Sequence, residues 1–255
     1  MSILIPRDLR FNRTSTAVWL NSKRNNRRRS QVDDAFTRDS IFYADMATQG
    51  YSDLDPMPTW FNQFGSNASQ PTGSLQPVYD SATQSADMQV GKEIPFSPPS
   101  TTDYYVLMFR AALLNGSTGF NRIVYFESDP NNFVRLVQRG IGNELRAIVS
   151  IDGVQTGFNT SPVYFDGAER EYILYCCKND ADPANSNLEL WIDGVQQGAT
   201  TFDLSTGFNP SIADIEWYGT ATDKIRKTGV LFPSETPESI PDYINEIRNS
   251  SAWLA

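Results

Sequence analysis

Residues 187–198 read Asn187-Leu188-Glu189-Leu190-Trp191-Ile192-Asp193-Gly194-Val195-Gln196-Gln197-Gly198. Leu188, Leu190 and Ile192 alternate with Glu189, Trp191 and Asp193. That is the period of two expected of a strand with one face on a core. Asp193-Gly194 then favours a type I′ turn, because glycine takes positive φ without steric cost. Val195 to Phe202 is the expected return strand. The pentapeptide Ile-Asp-Gly-Val-Gln also stands at 151–155 as well as 192–196. One such pair does not make a repeat protein, but two similar hairpins in one sheet system account for it.

Outward from this hairpin the chain reads as short strands separated by turns. Tyr104 to Leu114 is a nearly continuous apolar run, suited to a strand buried on both faces. Phe120 to Glu127 and Phe133 to Arg139 flank Ser128-Asp129-Pro130-Asn131-Asn132, a strong turn signal. Glu144 to Ile151, Val154 to Asn159, Arg170 to Lys178, Ile212 to Tyr218 and Ile225 to Phe232 continue the series. Thr236-Pro237 and Ser239 open a helix. Ile240, Tyr243, Ile244 and Ile247 give it one apolar stripe. Many short strands over roughly 180 residues predict an all-β, antiparallel sandwich with a short C-terminal helix.

The first 74 residues read differently. Residues 1–30 hold Arg7, Arg10, Arg13, Lys23, Arg24, Arg27, Arg28 and Arg29 against one acid, Asp8. The other 225 residues carry −16 of the chain's −9. Residues 31–74 scatter Phe36, Phe42, Tyr43, Tyr51, Trp60, Phe61 and Phe64 among turn residues. We therefore expect two parts: an extended basic and polar arm over 1–74, and a sandwich over 75–255. The arm is expected to become ordered against something else, because a wholly disordered tail carries fewer aromatics. The alternative, extra strands from 31–74 packed on the body, stays open.

The 187–198 segment resembles a hairpin of the concanavalin A-like, laminin-G-like sandwich domains, which carry L-x-L-[YW]-[VI]-D-G-V-x-x-G there. Glu171 to Cys177, Ser85 to Val90 and Tyr104 to Leu113 are similar in order to that family's strands. Ile225 to Phe232, followed by the helix, resembles its closing strand and tail. The resemblance covers about 75–250 and implies a jelly-roll binding module, of a kind found in bacteriophage virion proteins. It does not extend to the arm.

Composition excludes much chemistry. The 255 residues include no histidine, so no Ser-His-Asp or Cys-His machinery and no His-ligated zinc is possible. Cys176 and Cys177 are adjacent, so in a strand they point to opposite faces and are poorly placed to bridge each other. Ile3-Leu4-Ile5 is too short for a signal-peptide core. The Tyr104 to Leu114 run is too short for a membrane span.

Weak signals for other chemistry remain. Asp214 and Glu216 share a face beside Trp217, a pair to weigh against a glycosidase. The glucanase spacing E-x-D-x-E is missing, and alternating acids usually mark a solvated face. Asn179-Asp180-Ala181-Asp182-Pro183 is a calcium candidate without full calcium-loop spacing, so a polar hairpin loop is preferred. Trp191 and Trp217 are candidate glycan contacts, although a strand aromatic is more often core.

The leading expectation is a non-enzymatic structural virion protein, a capsid or tail decoration or attachment protein. It needs no cofactor or metal. Its basic arm would anchor it to other virion proteins through Arg7, Arg10, Arg13, Lys23, Arg24, Arg27, Arg28 and Arg29, with the sandwich displayed outward. Arg forks pairing with carboxylates suit such docking. Assembly in a host cytoplasm, a homo-oligomer, no membrane and no sequence-specific nucleic acid complete that expectation. The alternative is a carbohydrate-binding, lectin-like module that recognises surface glycans. A glycoside hydrolase-like enzyme comes last.

Overall fold

Both Asp-Gly turns form as the sequence dictates. Asp152 and Gly153 take φ of 49° and 84°, and Asp193 and Gly194 take 50° and 79°. Positive φ at both central residues is the type I′ signature. The computed structural model describes residues 34–100, 102–114, 120–139, 144–160, 164–206, 214–219 and 223–254. The basic residues Arg7 to Arg29 lie outside the described residues.

In chain order the strands begin with β1 (Ser40–Asp45), β2 (Thr59–Trp60), β3 (Ala68–Ser69), β4 (Val78–Asp80), β5 (Ser85–Met88), β6 (Glu93–Phe96) and β7 (Tyr104–Leu114). Next come β8 (Phe120–Asp129), β9 (Asn132–Arg139), β10 (Glu144–Ile151), β11 (Val154–Asn159) and β12 (Asp166–Cys177). β13 (Ser186–Ile192), β14 (Val195–Phe202), β15 (Asp214–Tyr218) and β16 (Asp223–Leu231) complete them. The helices are α1 (Ala35–Asp39), α2 (Ile240–Arg248) and α3 (Ser251–Leu254).

Two antiparallel sheets face each other. One runs β14-β13-β12-β7-β16-β5-β4, with β1 also on β16. The other runs β11-β10-β9-β8-β15-β6. Tyr105, Leu107, Phe109, Ala111 and Leu113 of β7 point into the core between them. Val106 and Met108 point the other way and are buried under Tyr243, Ile244, Ile247 and Trp253 of the C-terminal helices. The run that reads as buried on both faces is thus buried by a sheet on one side and helices on the other. Ser239 caps α2 by accepting from the Asp242 amide at 3.3 Å, as the helix-start reading implied.

The division at residue 74 is corrected over its described part. Residues 34–74 pack on the sandwich. β1 pairs with the second half of β16, Tyr43 opposite Gly229 and Asp45 opposite Lys227, where β5 has ended. The physical reason lies in the scattered aromatics. Phe36, Phe42 and Trp60 are fully buried, and a large aromatic contributes about 150–250 Å² of burial. Phe42 meets Phe96 at 4.6 Å between ring centroids, and Trp60 meets Trp217 at 5.5 Å.

Candidate functional site

The residues singled out in the sequence do not form a ligand platform. Trp217 is fully buried, packed between Phe42 and Trp60. Trp191 is 8% exposed. It belongs to the cluster beneath the C-terminal helices, and its indole N–H donates to Glu189 Oε2 at 2.9 Å. Both are corrected from glycan contacts to core. Strand alternation does put Trp191 on the face away from Leu188, Leu190 and Ile192, but that face is itself covered.

The side chain of Asp214 lies outside the described residues. Glu216 Oε2 accepts both the Tyr125 and Tyr218 hydroxyls, at 2.7 and 2.6 Å. Burial first, then the bond to Glu216, raises the Tyr218 phenol well above its ordinary range, so it serves as a donor near neutral pH. In the acidic loop, Asp180 accepts from Tyr104 and from the Thr236 amide. Asp182 accepts from Asn185 at 2.8 Å. Asp180 thus ties the loop to β7 and to the segment before α2, and Asp182 is spent locally. No group of three or more His, Cys, Asp or Glu converges as a metal site among the described residues. Cys176 and Cys177 are buried free thiols, and desolvation pushes both upward. No described helix is long and apolar enough to cross a membrane.

The arrangement best suited to a ligand lies on the outer face of the larger sheet, beyond the end of the helical cover. A cleft of about 310 Å³ is lined by Thr83, Ser85, Ala112, Leu114, Glu169 and Lys224, with Gly167 in its wall. Its parts come from distant points in the chain. Lys224 opens β16 opposite Asp87 of β5 and Ala112 of β7. Asp223, beside it, accepts the Leu114 amide at 2.9 Å and pins the end of β7. Gly167 has φ of +78°, and a Cβ there would lie 3.0 Å from Leu114 Cδ2. A side chain at 167 would therefore strain the backbone and press on the floor.

The polar side is preorganised. Lys224 Nζ donates to Asp80 Oδ2 at 2.7 Å and to Asp87 Oδ2 at 3.0 Å. Thr83 Oγ1 donates to Asp80 Oδ2 at 2.9 Å and lies 2.6 Å from Ser85 Oγ. The Ala82 amide donates to Asp80 Oδ1 at 2.9 Å. The Lys224 hydrogen bond is the main reason that the Asp80 carboxyl is held down to about 2. Lys224 itself is raised; burial opposes its charge, but Asp80 and Asp87 more than offset that. Asp87 Oδ1 is buried without a hydrogen-bond partner. Hydroxyls, an ammonium, a carboxylate and an apolar floor therefore meet in one concave site, the usual composition of a small-molecule pocket.

Sequence reasoning missed this cleft. Tyr79-Asp80-Ser81-Ala82-Thr83 looks like any polar turn, and Lys224 like any surface lysine. Only the pairing of β5, β16, β7 and β12 brings residues 80–87, 112–114, 167–169 and 224 together.

No family model matches the chain, and no curated protein sequence matches it. Solved structures do. The binding domain of botulinum neurotoxin serotype D/C VPI 5993 aligns with a TM-score of 0.53 at 11% identity, over 83% of this chain and 53% of that one. A structure of botulinum neurotoxin type C, whose cell entry is described as dependent upon interaction with two ganglioside molecules, gives 0.53 at 12% identity, over 83% and 52%. The binding domain of Paraclostridial Mosquitocidal Protein 1 gives 0.53 at 9%, over 84% and 53%. The chain spans about half the length of these structures. At such identities the likeness is one of fold: an antiparallel β-sandwich, as the sequence predicted.

Proposed function

We propose that the chain is a non-catalytic, carbohydrate-binding β-sandwich module that holds a sugar in the Lys224 cleft. The observation that carries this reading is the cleft's chemistry. A sugar ring has an apolar C–H face and a rim of hydroxyls. Ala112 and Leu114 suit the first, and Thr83, Ser85, Lys224 and Glu169 suit the second. The sandwich fold shared with toxin binding domains agrees with a binding role, although fold alone selects no function. The laminin-G-like motif at 188–198 belongs to the same reading.

The test is a glycan array with the full chain, followed by Ala112→Leu, which fills the cleft from its floor. The reading expects discrete glycan signals that fall at least roughly tenfold in the variant, the effect of losing about 1.4 kcal/mol of contact. A flat array would count against it.

The segregation of charge favours a second reading. A basic segment holding Arg7 to Arg29 precedes an acidic body, an organisation suited to a structural protein of a bacteriophage-like particle, with that segment as anchor. Removing residues 1–30 should then abolish incorporation into particles while leaving glycan binding intact. Normal incorporation of the shortened chain would dismiss the anchor.

A further inference from the structure

We infer that the Lys224 cleft selects an uncharged sugar over an acidic one such as a sialic acid, uronic acid or sulfated ring; this rests on the reading of the cleft as a sugar site. A lone lysine in a pocket ordinarily points to an anion. The geometry here argues otherwise.

An ammonium has three N–H donors. Two of those of Lys224 are committed, at 2.7 Å to Asp80 and 3.0 Å to Asp87. One donor remains for a ligand, and the single positive charge faces two carboxylates already. Arg226, two residues beyond Lys224, lies 3.7 Å from Glu169, which lines the cleft across from Lys224. The charged groups in and beside the cleft are thus Lys224 and Arg226 against Asp80, Asp87 and Glu169. Asp223 is a further acid, buried behind the Leu114 amide. A ligand carboxylate entering this field meets an excess of like charge in a partly desolvated site, where Coulomb repulsion is felt more than in bulk water. A hydroxyl meets neutral or complementary groups. With the Thr83 proton given to Asp80 Oδ2 and the Ser85 proton taken up by the 2.6 Å contact with Thr83 Oγ1, both hydroxyls face a ligand as acceptors, which suits a sugar hydroxyl and gives an anion no donor.

The experiment is a titration of the full chain against matched oligosaccharide pairs, each neutral glycan beside its sialylated and its sulfated form, at about 50 mM and about 300 mM salt. The expected result is binding of the neutral members, with the acidic members weaker by roughly tenfold at low salt. Salt should shrink that gap while leaving the neutral affinity nearly constant. Glu169→Gln, which removes one carboxylate from the wall, should narrow the ratio of neutral to acidic affinity, whatever it does to the neutral affinity itself. Equal or tighter binding of the acidic members overturns the inference and leaves the sugar site standing. A gap that neither salt nor Glu169→Gln alters overturns the electrostatic account. Silence across every pair overturns the sugar site and this inference with it.

Discussion

Single residues show where the sequence spoke clearly and where it misled. Trp217 stands next to two acids on an alternating strand, which suggests a sugar platform, yet its ring is clasped by Phe42 and Trp60. Period two tells which residues share a face; it does not tell what lies over that face. Trp217→Ala should therefore act on stability, lowering it by about 3–5 kcal/mol through lost transfer energy and a residual cavity. Chemical denaturation checks this, and an unchanged midpoint would remove Trp217 from the core. Asp80 makes the opposite case, an unremarkable turn residue that is poised by structure. Its carboxyl is depressed to about 2, chiefly by Lys224. A group depressed on folding adds stability that is fully present above its unfolded pKa, near 4, and is lost as pH falls toward 2. Thermal midpoints of the native chain should fall between about pH 4 and 2, and Asp80→Asn should flatten that part of the profile. Parallel profiles would show that the pair contributes nothing to folding; the pair is partly exposed, so the effect is expected to be small.

At the level of elements, the Asp-Gly hairpins were readable because a turn is a local object. Two residues specify it, and both copies adopt positive φ where expected. The C-terminal helix was readable too, from its stripe and its start. What it does was not, since its partners are far away in sequence. Glu171, on β12 and 7% exposed, accepts the Trp253 indole N–H at 2.5 Å and is also bonded by Arg248. Lys227, on β16 and 2% exposed, reaches Asp45 Oδ2 and the Trp253 carbonyl, both at 3.2 Å. Tyr243 donates to Asp39 at 3.0 Å. α2 and α3 are thus fastened to the sheet by buried polar contacts as well as by Ile244, Ile247 and Trp253. Removing one partner of such a set strands the others, at a cost of about 3–5 kcal/mol. Glu171→Leu should destabilise on that scale. Glu171→Gln, which keeps an acceptor for the indole, should cost less. Urea midpoints separate them, and equal losses would mean that packing volume alone fastens the helices.

The molecule as a whole carries the features that no window of sequence contains. Ser40 pairs with Leu231 across most of the chain, and the cleft needs residues from 83 to 224. Loop closure over such distances is entropically slow to grow with length, so sequence separation gives no warning against these contacts, and local periodicity gives no hint of them. The sandwich was legible because each strand announces itself. The inclusion of residues 34–74 was not, because their signal is isolated aromatics rather than a period. Limited proteolysis read by mass spectrometry tests that inclusion directly. Backbone that is paired and buried resists cleavage until the structure opens. β1 is hydrogen-bonded to β16, and Ala35, Phe36, Phe42 and Met46 are fully buried. The stable product should therefore retain Phe36, β1 and Trp60 together with the sandwich. Losing 34–74 would uncover β16 on one side and Trp217 on another, so a chain beginning near Leu75 should be aggregation-prone and poorly folded. A stable, monomeric product beginning near Leu75 would restore the boundary read from sequence and make β1 an accessory to the sandwich rather than part of it.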